Sequence, residues 1–221
     1  DEGETFQVSR VYKNGIAVSK KGTAEAEEIE FPKFVCSIPG EDEMKLPSGM
    51  LKVIETIPGE IITEGGIGQE GDEGVQKIIC VDRYRGEGFG VGLIKGLNIR
   101  QGAIATSVSH DAHNIIAAGA SDAEIISAVK AVSEAGGGMA VVIGDETTVL
   151  SLPAGGLMTF KPYEEVLDEM AVLNEALEKT GADKKAFMSL SFMALTVVPH
   201  LKITPRGLFD GDSFSDTDIQ C

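Results

Sequence analysis

Three short runs rich in isoleucine, valine and alanine follow one another in mid-chain: VQKIICVDRY (75–84), GAIATSVSH (102–110) and NIIAAG (114–119). Once such runs are buried, every backbone N–H and C=O in them needs a partner, and neighbouring strands supply partners along the whole run. The pattern therefore predicts strands of one sheet. Ser121 then opens a segment of different period. Ser121 and Glu124 have capping-box spacing, Ile125, Ile126, Val129 and Val132 recur on one face, and Gly136 stops the run. MAVVI and TTVLSL follow as a hairpin around Gly144-Asp145-Glu146. A second helix is expected from Pro162 to Thr180, with Val166, Met170, Leu173 and Leu177 as its buried stripe. Beyond it, the alternation in MSLSF predicts a further strand, and GDSFSDTDIQC reads as a loose acidic tail.

The amino-terminal part is poorer in signals. Residues 6–19 read as a hairpin about Lys13-Asn14-Gly15, Asn-Gly supplying the positive φ angles of a tight turn. From Lys20 to Gly71, Pro32, Pro39, Pro47 and Pro58 interrupt apolar stretches such as FVCSI and LKVIE, which predicts short strands and loops with no helix. Such strands bury little on their own and need neighbours. The fold class is therefore α+β: a mixed, largely antiparallel sheet with flanking helices, preceded by a small β-rich segment. We divide the chain into 1–70, 71–210 and an acidic tail at 211–221.

Charge and cysteines narrow the function classes. Nineteen Lys and Arg stand against 35 Asp and Glu, a net charge of -16. So acidic a surface repels phosphate backbones and anionic headgroups, which argues against nucleic acid and membrane as partners. Cys36, Cys80 and Cys221 form no CxxC pair, so neither a zinc ribbon nor a disulfide framework is indicated, and a reducing cytoplasm fits. The first residue is Asp1 rather than a methionine, which suggests a start partway through a longer protein.

SHDAHN is the densest polar cluster, placing Ser109, His110, Asp111, His113 and Asn114 between two apolar strands. The cluster suits a substrate loop, but Asp and Asn at a strand end also make ordinary turn bonds. As a metal site it is poor, because adjacent ligands do not easily converge on one ion. Gly66, Gly68 and Gly71 have GxGxxG spacing, yet acidic residues and a strand follow where a dinucleotide site needs a helix. GEGFGVG lacks the lysine of a phosphate loop and reads as close backbone packing. His200 beside Pro199 reads as structural, and the HxE…PCxxC signature of the cytidine-deaminase fold is absent.

PSGMLKVIETIPGEIIT, IICVDRY, GVGLIKGLNIRQGAIATSVSHDAHNIIAAG, EAGGGMAVV, LPAGGLMT and LSFMALTVVPHLKITPRGLFD carry a resemblance, in that order. Together the chain resembles the carboxy-terminal portion of adenine deaminases of the amidohydrolase superfamily, without their metal-binding barrel. The resemblance implies a hydrolase of purine metabolism and adenine catabolism that converts adenine and water to hypoxanthine and ammonia. It also implies a divalent metal (manganese, iron or zinc) held in an (α/β)8 barrel by histidines and acidic residues that include an HxH pair. This sequence has no HxH and only three histidines, so no metal ligand and no certain catalytic residue is assigned here. The chain alone is expected to be inactive. Residues 1–70 then correspond to part of a small composite β domain, and 71–210 to the terminal α/β domain. Implied partners are adenine and the barrel, with a homo-oligomer where the barrel's absence uncovers apolar surface. Asp111 and His110 become the substrate-facing pair, with His113 behind them and Ser109 and Asn114 holding the loop. The rival reading is a stand-alone, non-catalytic ligand-binding or assembly module of the same fold.

Overall fold

A computed structural model describes residues 8–18 and 29–221. Strands β1 (Tyr12–Lys13) and β2 (Ile16–Ala17) form the expected hairpin, with Asn14 at φ 52° and Gly15 at φ 76° in its turn; Phe6, Gln7 and Ser19 lie outside the described residues. A 3-10 turn at Glu41–Met44 interrupts a stretch read as free of helix. Its Gly40 N–H donates to the Glu43 carboxylate at 2.9 Å, and Met44 is buried.

Among the described residues the central sheet has eight strands. In chain order they are β3 (Leu51–Thr56), β4 (Thr63–Gly68), β5 (Val75–Val81), β6 (Phe89–Lys95), β7 (Ala103–Thr106), β8 (Ile115–Gly119), β9 (Gly138–Ile143) and β10 (Glu146–Ser151). Across the sheet they run β10-β9-β7-β8-β5-β6-β3-β4, all neighbours antiparallel except β3 and β6. The early strands find the neighbours they need: Val53 pairs with Leu93 on one side and Gly66 on the other, so the sheet runs across residue 70.

The apolar runs are continuous because both sheet faces are covered. Successive strand residues point to opposite faces. Ile78, Cys80, Ile104, Ile116, Ala118 and Val141 pack on one side against α2 (Tyr163–Thr180) and α3 (Ala186–Ser191). Ile79, Val81, Ala105, Ile115, Ala117 and Val142 pack on the other against α1 (Asp122–Glu134). Helix α1 starts as the sequence predicts: Ser121 is extended at its N-cap and its Oγ accepts the Glu124 N–H at 3.4 Å. Helix α2 buries Leu173 and Leu177, half-buries Val166 and Met170, and ends on Gly181 at φ 82°.

Two expectations are corrected. Residues 188–191, read as a strand, belong to α3. The Met-Ser-Leu-Ser alternation has period 2, but the buried residues are Ala186, Phe187, Leu190 and Met193, at helical spacing. Ser191 Oγ donates to the Met188 carbonyl at 2.7 Å, which uses up a polar group that the alternation would have turned to solvent. The 211–221 segment is not loose. Strands β11 (Leu201–Thr204), β12 (Gly207–Asp210) and β13 (Ser215–Asp216) form a three-stranded sheet. Arg206 holds Asp216 through two bonds of 2.8 and 3.0 Å, and Lys52 Nζ donates to Thr217 Oγ1 and the Asp218 carbonyl, each at 2.8 Å. Arg206 thus pairs with one of the tail's carboxylates, and Lys52 ties the tail's hydroxyl and backbone to β3.

The small sheet approaches β6 closely at Gly90, where a Cβ would lie 2.1 Å from the Thr204 carbonyl oxygen. That contact explains the glycine-rich GEGFGVG run as backbone packing. Gly66, Gly68 and Gly71 lie on β4 and the turn after it, and β5 follows rather than a helix. Among the described residues no helix is long and apolar enough to cross a membrane.

Candidate functional site

One end of the eight-stranded sheet gathers the polar connections. β5 ends at Val81 opposite Ile115, where β8 begins, so the 82–88 turn lies beside the 107–114 loop. Thr106 pairs with Met139 and Ser151 with Gly138, which brings the Gly136–Gly138 turn and the segment after β10 to the same end. Runs scattered along the sequence are therefore neighbours in space.

The 107–114 loop is held at both feet. Buried Ser107 accepts the Gly138 N–H on its Oγ at 2.8 Å and donates to the Gly156 carbonyl at 2.6 Å. Buried Ser109 donates from Oγ to the Asn114 carbonyl at 2.6 Å, while the His113 N–H donates to the Ser109 carbonyl at 3.0 Å. The His110 N–H donates to the Ser191 carbonyl at 2.8 Å, and its ring stacks on Phe192 with centroids 4.8 Å apart and planes 12° apart. His113 has φ 52°, a left-handed conformation uncommon for a residue with a Cβ.

Beyond the loop lies a cleft of about 690 Å³. Asp111 and Asn114 line one side, Asp82 and Cys80 the end of β5, and Thr204, Arg206 and Phe209 the opposite wall. Most of its polar groups are already committed. Burial alone would raise the Asp82 carboxyl, but N–H groups of Glu87, Tyr84 and Arg85 donate to it and hold it below the usual carboxylate range. Arg206 is engaged by Asp216, and burial pushes the Cys80 thiol up to about 12, so it stays neutral near pH 7. Three side chains are left over, Thr196 among them. Asp111 is exposed, and Asn114 is 8% exposed with Oδ1 buried and lacking a partner among the described residues. An amide can donate or accept, and leaving a buried acceptor without a partner is costly.

The structure brings Ser109, His110, Asp111, His113 and Asn114 into one loop but puts only Asp111 and Asn114 among the groups lining the cleft. The His110 ring lies on Phe192, and the His113 ring is 6.5 Å from it. Among the described residues no group of three or more His, Cys, Asp or Glu is placed to hold a metal ion. His200 lies elsewhere, its Nδ1 bonded to the Asp212 carboxylate. Asp82, Arg206 and Phe209 were not singled out from sequence, although they stand in the VDRY and ITPRGLFD runs. Their signal was a polar or aromatic residue at the end of an apolar strand.

The sequence profile of the family described as adenine deaminase C-terminal domain matches residues 56–215. An adenine deaminase of Methanoculleus marisnigri is 41% identical over 99% of this chain and 44% of its own length. One from Methanoregula boonei is 38% identical over 99% of this chain and 41% of its own length, and one from Geobacillus kaustophilus is 36% identical over 95% and 41%. The chain thus spans about two fifths of the length of these relatives. It belongs to the adenine deaminase C-terminal domain family.

Proposed function

We propose that this chain forms one wall of a pocket in which adenine is hydrolysed to hypoxanthine and ammonia. In this reading a divalent metal (manganese, iron or zinc) and its ligands come from an (α/β)8 barrel of the amidohydrolase superfamily, in the complete protein. The free cysteines suit a cytoplasmic setting. The observation that carries the reading is a cleft of about 690 Å³ lined by Asp111 and Asn114 of the loop between β7 and β8. That volume lies within the range of about 300–1,000 Å³ common to small-molecule sites. Adenine offers N–H donors and ring-nitrogen acceptors on one flat edge, which a carboxyl and an amide can match. Phe209 and Pro205 supply apolar surface for the ring faces.

In the reaction a water oxygen bonds to the amino-bearing carbon, the C–N bond breaks, and the amine leaves as ammonia after accepting a proton. Asp111 is the group on this wall able to hold the amine. His110 does not line the cleft; stacked on Phe192 and bonded through its backbone N–H to the Ser191 carbonyl, it holds the loop that carries Asp111. Asp111→Asn and His110→Ala in the complete enzyme should each lower kcat/KM at least about tenfold, near 1.4 kcal/mol. Normal kinetics with normal metal content in both variants would leave the loop as a turn and the wall as a support.

A further inference from the structure

Arg83 is an unusual residue for its surroundings. It is 6% exposed, and among the described residues no carboxylate pairs with it. Its Nε is buried without a partner. A buried cation left unpaired is expensive, so its neighbours must hold it by other means. The guanidinium carbon stands 4.4 Å from the centroid of Phe34 and 4.6 Å from that of Tyr84, distances at which the faces of both rings attract a cation. The slot is closed by Gly156, where a Cβ would lie 2.5 Å from Arg83 Nη1 and 2.7 Å from the Phe34 ring. Gly156 is in turn fixed by Ser107 at the foot of the 107–114 loop.

From this slot a chain of hydrogen bonds leads out to the loop. Arg83 Nη2 donates to the Tyr84 hydroxyl at 2.9 Å, and that hydroxyl donates to the Ala112 carbonyl at 2.8 Å. Ala112 lies between Asp111 and His113 at the loop's tip. A charged donor on the phenol oxygen strengthens the phenol's own donation, and the planar fork of arginine fixes the direction in which it points.

We propose that Arg83 and Tyr84 are positioning residues for the 109–114 loop. Arg83, wedged between Phe34 and Gly156, aims the Tyr84 hydroxyl at the Ala112 carbonyl and so sets where Asp111 points. Its meaning for catalysis rests on the pocket reading above; the positioning itself does not. The LPAGGLMT run gains a reason too, since its second glycine leaves the room the guanidinium occupies.

Hydrogen exchange on the 221-residue chain tests this directly, because the loop carries two bonded amides, His110 to Ser191 and His113 to Ser109. Tyr84→Phe keeps the ring and deletes only the hydroxyl of a residue that is 54% exposed. Both loop amides should exchange about three- to tenfold faster, the size expected for one lost hydrogen bond, while Ile78 and Ile104 in the sheet stay unchanged. Arg83→Lys should give the same acceleration, and the double variant no more than either alone. Unchanged loop exchange in Tyr84→Phe overturns the proposal, whatever happens to Arg83→Lys, and so does exact additivity of the two. Kinetics of Tyr84→Phe in the complete enzyme separate the two readings. A loosened loop with a lowered kcat/KM supports both, whereas a loosened loop with normal kcat/KM supports the positioning and removes the loop from the pocket.

Discussion

Lys202 has no exposed surface, and its Nζ donates to the Ile61 carbonyl at 3.1 Å. Burial pushes its ammonium down to about 8, from an ordinary value of 10.5. The sign of the consequence follows from proton binding. Between pH 8 and 10.5 the unfolded chain holds a proton at this position that the folded chain has released, so this residue's contribution to stability rises with pH across that window. Below pH 8 both states are protonated and the folded state carries the full cost, at most about 3 kcal/mol. Lys202→Met removes that cost and loses one hydrogen bond worth about 1 kcal/mol. The variant should therefore be more stable than the native chain by roughly 2 kcal/mol at pH 7, with the gap closing by pH 10. Urea denaturation of both proteins at the two pH values checks it, since other groups titrate alike in both. A gap that does not change with pH would mean the amine is not desolvated. Nothing in the LKIT run marks Lys202 as buried: a lysine in an apolar strand ordinarily keeps its ammonium in water.

Elements were legible wherever burial on both sides or a cap left a local trace. β5, β7, β8 and α1 were read from their apolar runs and from the Ser121–Glu124 spacing. What the spacing did not reveal was the use made of Glu124. Its Oε2 accepts from Ser121 Oγ at 2.7 Å, whereas Oε1 accepts the Gly144 N–H at 3.0 Å, tying the helix start to the β9–β10 turn. Glu124→Ala should accordingly cost more than Ser121→Gly, about 1–2 kcal/mol against a few tenths, and calorimetric melting of the two variants would show the order. Equal losses would mean that the cap alone matters. The α3 segment was misread because serines fall at alternate positions while its packing partners lie on β7 and β8, far away in sequence. The same distance hid half of the cleft. SHDAHN stood out as a polar cluster between strands, but Thr204, Arg206 and Phe209 face it only after β11 and β12 dock on the sheet.

At the scale of the molecule, the question is whether the first seventy residues are a separate unit or part of the same sheet. The signals that set this segment apart were prolines and short apolar stretches, and these describe its loops well. They do not report that β3 lies parallel to β6, a pairing between strands with β4 and β5 between them in sequence. Val53 and Ile54 are fully buried or nearly so, and Ile54 packs in the same cluster as Ile78 and Ile94. Leu51 packs with Leu93, and Ile219 from the far end of the chain lies against them, with Gln220 bridging to Leu51. Burying an isoleucine or leucine is worth roughly 2 kcal/mol, so parting this segment from the sheet would forfeit several such contributions at once. We therefore propose that residues 51–68 unfold together with the sheet, whereas the β1–β2 hairpin, both of whose strands are exposed, does not share its protection. Native-state hydrogen exchange should find Val53 and Ile54 within about tenfold of Ile78 and Ile79, and the 12–17 amides far faster. If 53 and 54 instead exchange a thousandfold or more faster than β5, the sheet divides near residue 70 and the first segment is the looser unit.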